Sequence, residues 1–301
     1  MGRVDFEEET VILRILQQSN LIMAHSNQRP KVILLDIGGV CVKSPLQAIH
    51  DFEEENKIPH GWINYCIDQS KPYGYWHQLE RGQHELNKNW FSGWEKELGN
   101  PILWNIFWMK RSSKQPPPTP RINPEKLFWS IIDAAHTPDP WMFPALESLK
   151  ASQRFILIAI SNTVILPPPH EKTYNEKSAK LRSFFDIFIS SAEIGTRKPD
   201  PKIYTHAIEL ANSFAKKNSQ TSRARELSWE NGIHPNEVLY LDDIGENLKA
   251  GKQAGFSTIM VKPGKSWEAV EELELATGLK LAGNHPKDTS SSQDKIGSSK
   301  L

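Results

Sequence analysis

The apolar positions of the chain fall into two kinds of pattern. Short, unbroken, β-branched runs occur at Lys31–Asp36, Phe155–Ile160, Asp186–Ser190, Val238–Leu241 and Thr258–Val261. Runs of this kind read as strands buried on both faces. Helical spacing fills the intervals between them. That alternation predicts an α/β architecture, a mostly parallel Rossmann-like sheet with helices on both faces, three layers in all.

More than a hundred residues separate the first run from the second, far more than a crossover helix needs. The excess is expected to form a module of its own. Residues 46–110 read as helical through Leu46, Ile49 and Phe52, then Trp62, Tyr65 and Cys66, then Trp76 and Leu79, and six of the ten tryptophans lie there. Residues 112–120, rich in proline, predict a stiff extended spacer or an exposed loop, and a further helix is expected at about 124–135. The expected organisation is an extension at 1–29, a core domain at 30–44 and 138–283, a helical cap with its Pro-rich loop at 45–137, and a disordered tail at 284–301. Within the extension, Val11, Ile12, Ile15 and Leu16 share one helical face and suggest a docking helix. The polar stretch 216–231 predicts a loop or surface insertion.

Composition narrows the classes. The chain has 301 residues, with 36 Lys+Arg against 36 Asp+Glu, so no basic excess points to a nucleic-acid partner. Hydrophobic content of 38% supplies a core, but no apolar run is long enough for a membrane span. Two cysteines, Cys41 and Cys66, exclude a disulfide scaffold and a Cys-rich zinc cluster. The ten histidines show no metal-ligand spacing. With no secretory leader visible, a cytoplasmic location is expected, and Cys41 is expected to be a small buried packing residue.

The candidate chemistry sits at strand ends. Asp36 closes the first run, and Asp242 and Asp243 close the fourth. Ligands of open parallel sheets bind at the carboxyl ends of the strands. If the first and fourth strands are neighbours, three carboxylates converge, and a cation is needed to offset their repulsion. Oxygen donors without histidine or cysteine favour Mg²⁺. Either site by itself reads as helix capping before chemistry; two of them, each after a strong apolar strand, reduce that preference. Ser161-Asn162 follows the second run, where a hydroxyl, an amide and backbone N–H groups suit either phosphate oxygens or an ordinary cap. Lys198 precedes Pro199-Asp200-Pro201 and the start of a helix. Considered alone it reads as solvent-exposed; turned inward it would neutralise a nucleophile–phosphate pair. Asp51 and Glu53–Glu55 read as a solvated helix face.

Four segments occur in order: Asp36-Ile-Gly-Gly-Val40, Ser161-Asn-Thr163, Gly195-Thr-Arg-Lys-Pro-Asp-Pro-Lys-Ile-Tyr204 and Leu241-Asp-Asp-Ile-Gly-Glu-Asn-Leu-Lys249. Together they resemble the four motifs of the haloacid dehalogenase (HAD) superfamily. They are most similar to the phosphatase-domain branch found at the N-terminus of soluble epoxide hydrolases and of some acyl-CoA dehydrogenases. The resemblance covers roughly residues 31–265, including Leu79-Glu-Arg-Gly82. It implies a sheet order of 3-2-1-4-5 and a helical cap after the first motif. It also implies Asp36 as nucleophile, Ser161 and Asn162 as phosphate binders, Lys198 as the lysine that offsets charge, and Mg²⁺ on Asp36, Asp242, Asp243 and the Gly38 carbonyl. The implied reaction is in-line attack of Asp36 on a small-molecule phosphate or diphosphate, giving an aspartyl-phosphate that water hydrolyses.

Two departures from that pattern open alternatives. The usual motif is Asp-x-Asp, with the second aspartate as general acid and base, and Gly38 stands in its place. This predicts slow turnover of alkyl phosphates, a substrate with a good leaving group, or a binding protein on a retained fold. Asp242-Asp243-Ile-Gly-Glu246 also resembles an acidic motif of terpene cyclases related to the superfamily, which with the aromatic insert suggests prenyl diphosphate chemistry. Glu246 is better explained by a helix N-terminus, where the dipole favours it, and phosphatase chemistry ranks above the cyclase alternative.

Overall fold

The computed structural model describes residues 29–285 apart from Pro169. The suggested docking helix at Val11–Leu16 and residues 286–301 of the tail lie outside the described residues. All five apolar runs are strands: β1 (Val32–Leu35), β2 (Ile156–Ser161), β3 (Ile187–Ser190), β4 (Val238–Asp242) and β5 (Ser257–Met260). They form one parallel sheet of order β3-β2-β1-β4-β5. The helices are α1 (Pro45–Glu55), α2 (Trp62–Gln69), α3 (Tyr75–Leu79), α4 (Lys88–Leu98), α5 (Pro101–Met109), α6 (Pro124–Ala134), α7 (Met142–Ser152), α8 (His170–Arg182), α9 (Ser191–Ile194), α10 (Pro201–Lys217), α11 (Ser222–Glu226), α12 (Gly245–Gln253) and α13 (Ser266–Thr277).

Alternation along each strand feeds two cores. Ile33, Leu35, Leu157, Ala159, Leu239 and Leu241 face α7 and α13 through Met142, Leu146, Val270 and Leu273. Val32, Leu34, Ile156, Ile158, Val238 and Tyr240 face α10 and α12 through Ile203, Ala207, Ala211 and Leu248. Every residue of β1 and β2 is buried, which explains why their sequences read as continuous apolar runs. At about 1.5–3 kcal/mol for each fully buried large aliphatic side chain, these central strands are the firmest part of the fold. The candidate residues project from their ends.

A third apolar cluster belongs to the segment between β1 and β2. Phe52 of α1, Trp62 of α2, Leu79 of α3, Trp90 and Trp94 of α4, Trp104 and Phe107 of α5, and Phe128 of α6 pack together. The tryptophans meet one another, with ring centroids 5.0 Å apart for Trp62–Trp104 and 4.9 Å for Trp90–Trp94. They are this module's own core, which is the usual fate of tryptophan at helical spacing. The helix starts are chemically marked. Ser44, Asn100, Asn123 and Asp200 cap α1, α5, α6 and α10, each with proline at the next position.

Two expectations change. Residues 216–231 are a packed element as well as a loop. Thr221 caps α11, Ala224 and Trp229 are buried, and the Arg223 guanidinium reaches the Asp186 carboxylate at 3.2 Å. Three scattered apolar residues in a polar run leave no periodicity to read. Glu53 is also not on a solvated face. Its carboxylate is buried and accepts the Gly61 and Ile63 N–H groups at 2.7 and 2.8 Å, closing the start of α2. No helix among the described residues is long and apolar enough to cross a membrane.

Candidate active site

Strand register assembles the site. Leu35 pairs with Leu241 across β1 and β4, so Asp36 and Asp242 leave neighbouring strands at the same level. Leu35 also pairs with Ala159, which puts Ser161 one step further along β2 on the other side. Oxygens of Asp36, Asp242 and Asp243 lie within 4.8 Å of one another, the cluster of metal-binding residue types found among the described residues.

Lys198 enters from between β3 and α10. The isolated sequence reading left it in solvent, but it is 1% exposed. Its Nζ lies 2.8 Å from Asp36 Oδ2 and 2.8 Å from Asp242 Oδ2. The backbone around it is tightly held. Its N–H donates to Asn162 Oδ1 at 2.8 Å, and Asn162 Nδ2 donates back to its carbonyl at 3.1 Å. Gly195, with φ +75°, ends α9 in the left-handed region, and the Asp200 cap starts α10. A short segment fixed at both ends therefore presents the lysine.

The three carboxylates are not equivalent. Asp36 accepts the Ile37 N–H at 2.6 Å through Oδ1 and faces Lys198 through Oδ2. Asp242 accepts from Ile244 N at 2.8 Å, Asn247 Nδ2 at 3.0 Å, Lys198 Nζ and the Tyr240 hydroxyl. Four donors match the roughly four lone-pair sites of a carboxylate. Asp243 accepts a long 3.3 Å bond from Ser44 Oγ and lies over Gly39, where a Cβ would fall 2.1 Å from its Oδ2. Gly39 has φ +76°, so both backbone shape and space require glycine there.

Burial and mutual repulsion set the protonation. Burial pushes the Asp36 carboxyl well above the usual range, with Lys198 opposing and Asp242 and Asp243 adding to the rise. Burial and the neighbouring Asp242 push Asp243 up to about 7. Burial alone would lower the Lys198 ammonium, but Asp242 and Asp36 outweigh it and hold the lysine above its ordinary value. Ionised together, the three carboxylates would carry two more negative charges than the one ammonium offsets. An all-oxygen donor set with that surplus fits a hard divalent cation.

Tyr240, Asn247 and Ser44 escaped the sequence reading. Tyr240 had a signal, since it lies two residues before Asp242 on the same side of a strand. Cys41 is buried as expected, donating from Sγ to the Asp36 carbonyl at 3.2 Å. Glu246 is exposed in the first turn of α12 and pairs with Lys71 at 3.2 Å.

A family model described as haloacid dehalogenase-like hydrolase matches residues 30–255. The chain belongs to this family. This HAD-like hydrolase is 26% identical over 252 residues to bifunctional epoxide hydrolase 2 of Rattus norvegicus, covering 83% of this chain and 39% of that protein. It is 25% identical over 268 residues to acyl-CoA dehydrogenase family member 10 of Mus musculus, covering 88% of this chain and 21% of that one. A shorter match, 22% over 119 residues, is to D-ribitol-5-phosphate phosphatase of Bacteroides thetaiotaomicron, covering 40% of this chain and 48% of that enzyme. The HAD-like chain thus spans less than half the length of each of these curated relatives. The parallel sheet of order 3-2-1-4-5, read from the motif resemblance, is present in full.

Proposed function

We propose that this HAD-like hydrolase is a Mg²⁺-dependent phosphohydrolase of small organic phosphates, working through an aspartyl-phosphate on Asp36. The observation that carries the reading is the placement of Lys198 Nζ at 2.8 Å from both Asp36 and Asp242 with Asp243 beside them. The buried ammonium bridges two carboxylates in a cluster whose ionised form carries surplus negative charge. The similarity to a D-ribitol-5-phosphate phosphatase supports the same reading.

In this proposal Asp36, Asp243 and the Gly38 carbonyl hold Mg²⁺, and Asp242, its lone pairs taken by four donors, adds its charge and anchors Lys198. The bound cation would supply Lewis-acid neutralisation of phosphate oxygens. Asp36 attacks phosphorus, the ester P–O bond breaks as the Asp36–phosphorus bond forms, and water later cleaves the acyl phosphate. Lys198 offsets the charge on the transferring group. Ser161 and the backbone around Asn162 bind phosphate oxygens at the end of β2. Residues 45–137 act as a cap that shapes the substrate and excludes water.

The test is a phosphate-release screen over mono- and diphosphates with Mg²⁺ and with product masses recorded. Mg²⁺-dependent release of inorganic phosphate with an intact alcohol is expected. Absence of release from every compound would overturn the hydrolase reading. A hydrocarbon or terpene alcohol from a prenyl diphosphate would point instead to lyase or cyclase chemistry.

The raised carboxyls give a second expectation. Between their unfolded value of 3.8 and about 7, the value of folded Asp243, the metal-free fold binds more protons than the unfolded chain. Its stability is therefore full below the lower limit and is lost as pH rises through the upper one, by an amount of the order of a few kcal/mol. Mg²⁺ counters the exposed repulsion and adds binding free energy. Melting temperatures in EDTA should fall across that window, and saturating Mg²⁺ should flatten the curve. A metal-free melting temperature that climbs with pH would contradict the charge surplus.

A further inference from the structure

The segment Leu79-Glu-Arg-Gly82 joins the helical module to the sheet, and the proposed chemistry leaves it without a role. Glu80 ends α3 inside the module. Yet its carboxylate is buried against the core, with Oε2 2.7 Å from Arg197 Nε. Its backbone carbonyl accepts the Ser191 hydroxyl at 2.6 Å. The same Ser191 oxygen accepts the Thr163 N–H at 2.9 Å, and the Thr163 and Ser190 hydroxyls meet at 2.6 Å. Two residues on, Gly82 has φ +64° and comes so close to the sheet side that a Cβ would fall 2.3 Å from the Ala192 carbonyl oxygen.

Three segments distant in sequence therefore meet in one polar junction: the turn after α3, the end of β2 and the β3–α9 connection. The junction continues directly into the site. Arg197 precedes Lys198, and Asn162, beside Thr163, grips the Lys198 backbone from both sides. Buried ion pairs are costly to form and costlier to break, because a lone partner stays desolvated. Held at 2.7 Å, this pair ties the two side chains together through charge rather than through a well-aligned hydrogen bond.

We propose that Glu80 is a positioning residue for the proposed phosphoryl transfer: it fixes Arg197, and through Arg197 the placement of Lys198, so that the lysine is set by a residue of the helical module. Glu80 touches no reacting atom. The proposal rests on the hydrolase reading for its kinetic consequence but not for its structural one. The turn after α3 is held against the core at Glu80, Ser191 and Gly82.

The experiment compares wild type with Glu80→Gln, Arg197→Gln, the double variant and Glu80→Asp. 4-Nitrophenyl phosphate with Mg²⁺ gives kcat and KM, and amide hydrogen exchange is measured over residues 76–84 and 190–198. Glu80→Gln is expected to lower kcat about 10- to 100-fold with a smaller change in KM. The double variant should be no worse than either single one, and Glu80→Asp should fall between. Exchange should rise at 195–198 as well as at 76–84. Unchanged kcat in folded Glu80→Gln would overturn the proposal, as would faster exchange confined to 76–84. If Glu80→Gln does not fold, the same two readouts on Glu80→Asp decide. If wild type releases no phosphate, the hydrolase reading fails on its own account and the exchange pattern alone decides the positioning claim.

Discussion

Asp36→Asn should abolish phosphate release while leaving the protein folded. The substitution keeps the shape of the side chain. The amide oxygen can still accept the Ile37 N–H that Asp36 now takes at 2.6 Å; the amide nitrogen then faces Lys198, which keeps its bond to Asp242. What disappears is the nucleophilic carboxylate. Losses on removing a covalent catalyst of this kind run to about 10⁴-fold or more. Stability should hold or rise. Burial disfavours the charged form of Asp36, and its neighbours Asp242 and Asp243 repel it, so a neutral side chain relieves strain that Lys198 only partly offsets. The measurement is the rate of Mg²⁺-dependent phosphate release beside a thermal melt. Acid quenching of wild type during turnover should leave phosphate on the peptide that carries residue 36, and the variant should leave none. A variant that keeps more than a few per cent of the wild-type rate with an unchanged melt would remove Asp36 from the role of nucleophile.

The sheet was legible because its strands are buried on both faces. Nothing in β1 or β2 is polar until the chain reaches Asp36 or Ser161, so the boundary between scaffold and chemistry is written in the sequence. Lys198 was harder. A lysine is exposed by default, and only the motif around it argued otherwise; its burial depends on two carboxylates from other strands. Glu53 misled for the same reason, since its partners are the backbone N–H groups of Gly61 and Ile63, which side-chain patterns do not reveal. Leu79-Glu-Arg-Gly82 lies within the motif resemblance, but the contacts of the Glu80 junction are not legible in the sequence. Its hydrogen bond to Ser191 spans 111 residues and exists only once the helical module has packed against the sheet.

Gly38 carries the second large expectation, and the structure shows why the position is closed to a carboxylate. A Cβ on Gly38 would lie 2.9 Å from Pro45 Cδ and 3.0 Å from Cγ. Pro45 is the first residue of α1, capped by Ser44, so the ring is fixed. The other charged groups of the cluster are committed. Lys198 bridges Asp36 and Asp242, Asp242 is saturated with donors, and Asp243 is the residue proposed to hold the cation. A departing alkoxide then leaves without a positioned proton donor, which costs about 10²–10⁴ in rate. Wild type should therefore cleave 4-nitrophenyl phosphate faster than propyl phosphate by a factor of that order in kcat/KM. Gly38→Asp alone should not repair this. Forcing the side chain against the ring costs about 1–3 kcal/mol and aims the carboxyl wrongly. With Pro45→Ala added, the ring atoms that obstruct it are gone, Ser44 still caps α1, and alanine is a good residue for a helix start. The double variant should raise propyl phosphate turnover at least tenfold over Gly38→Asp while changing the aryl substrate little. Comparable wild-type rates on both substrates would mean that a proton donor reaches the site from elsewhere. A double variant that folds but gains nothing on the alkyl ester would mean that position 38 does not face the leaving group.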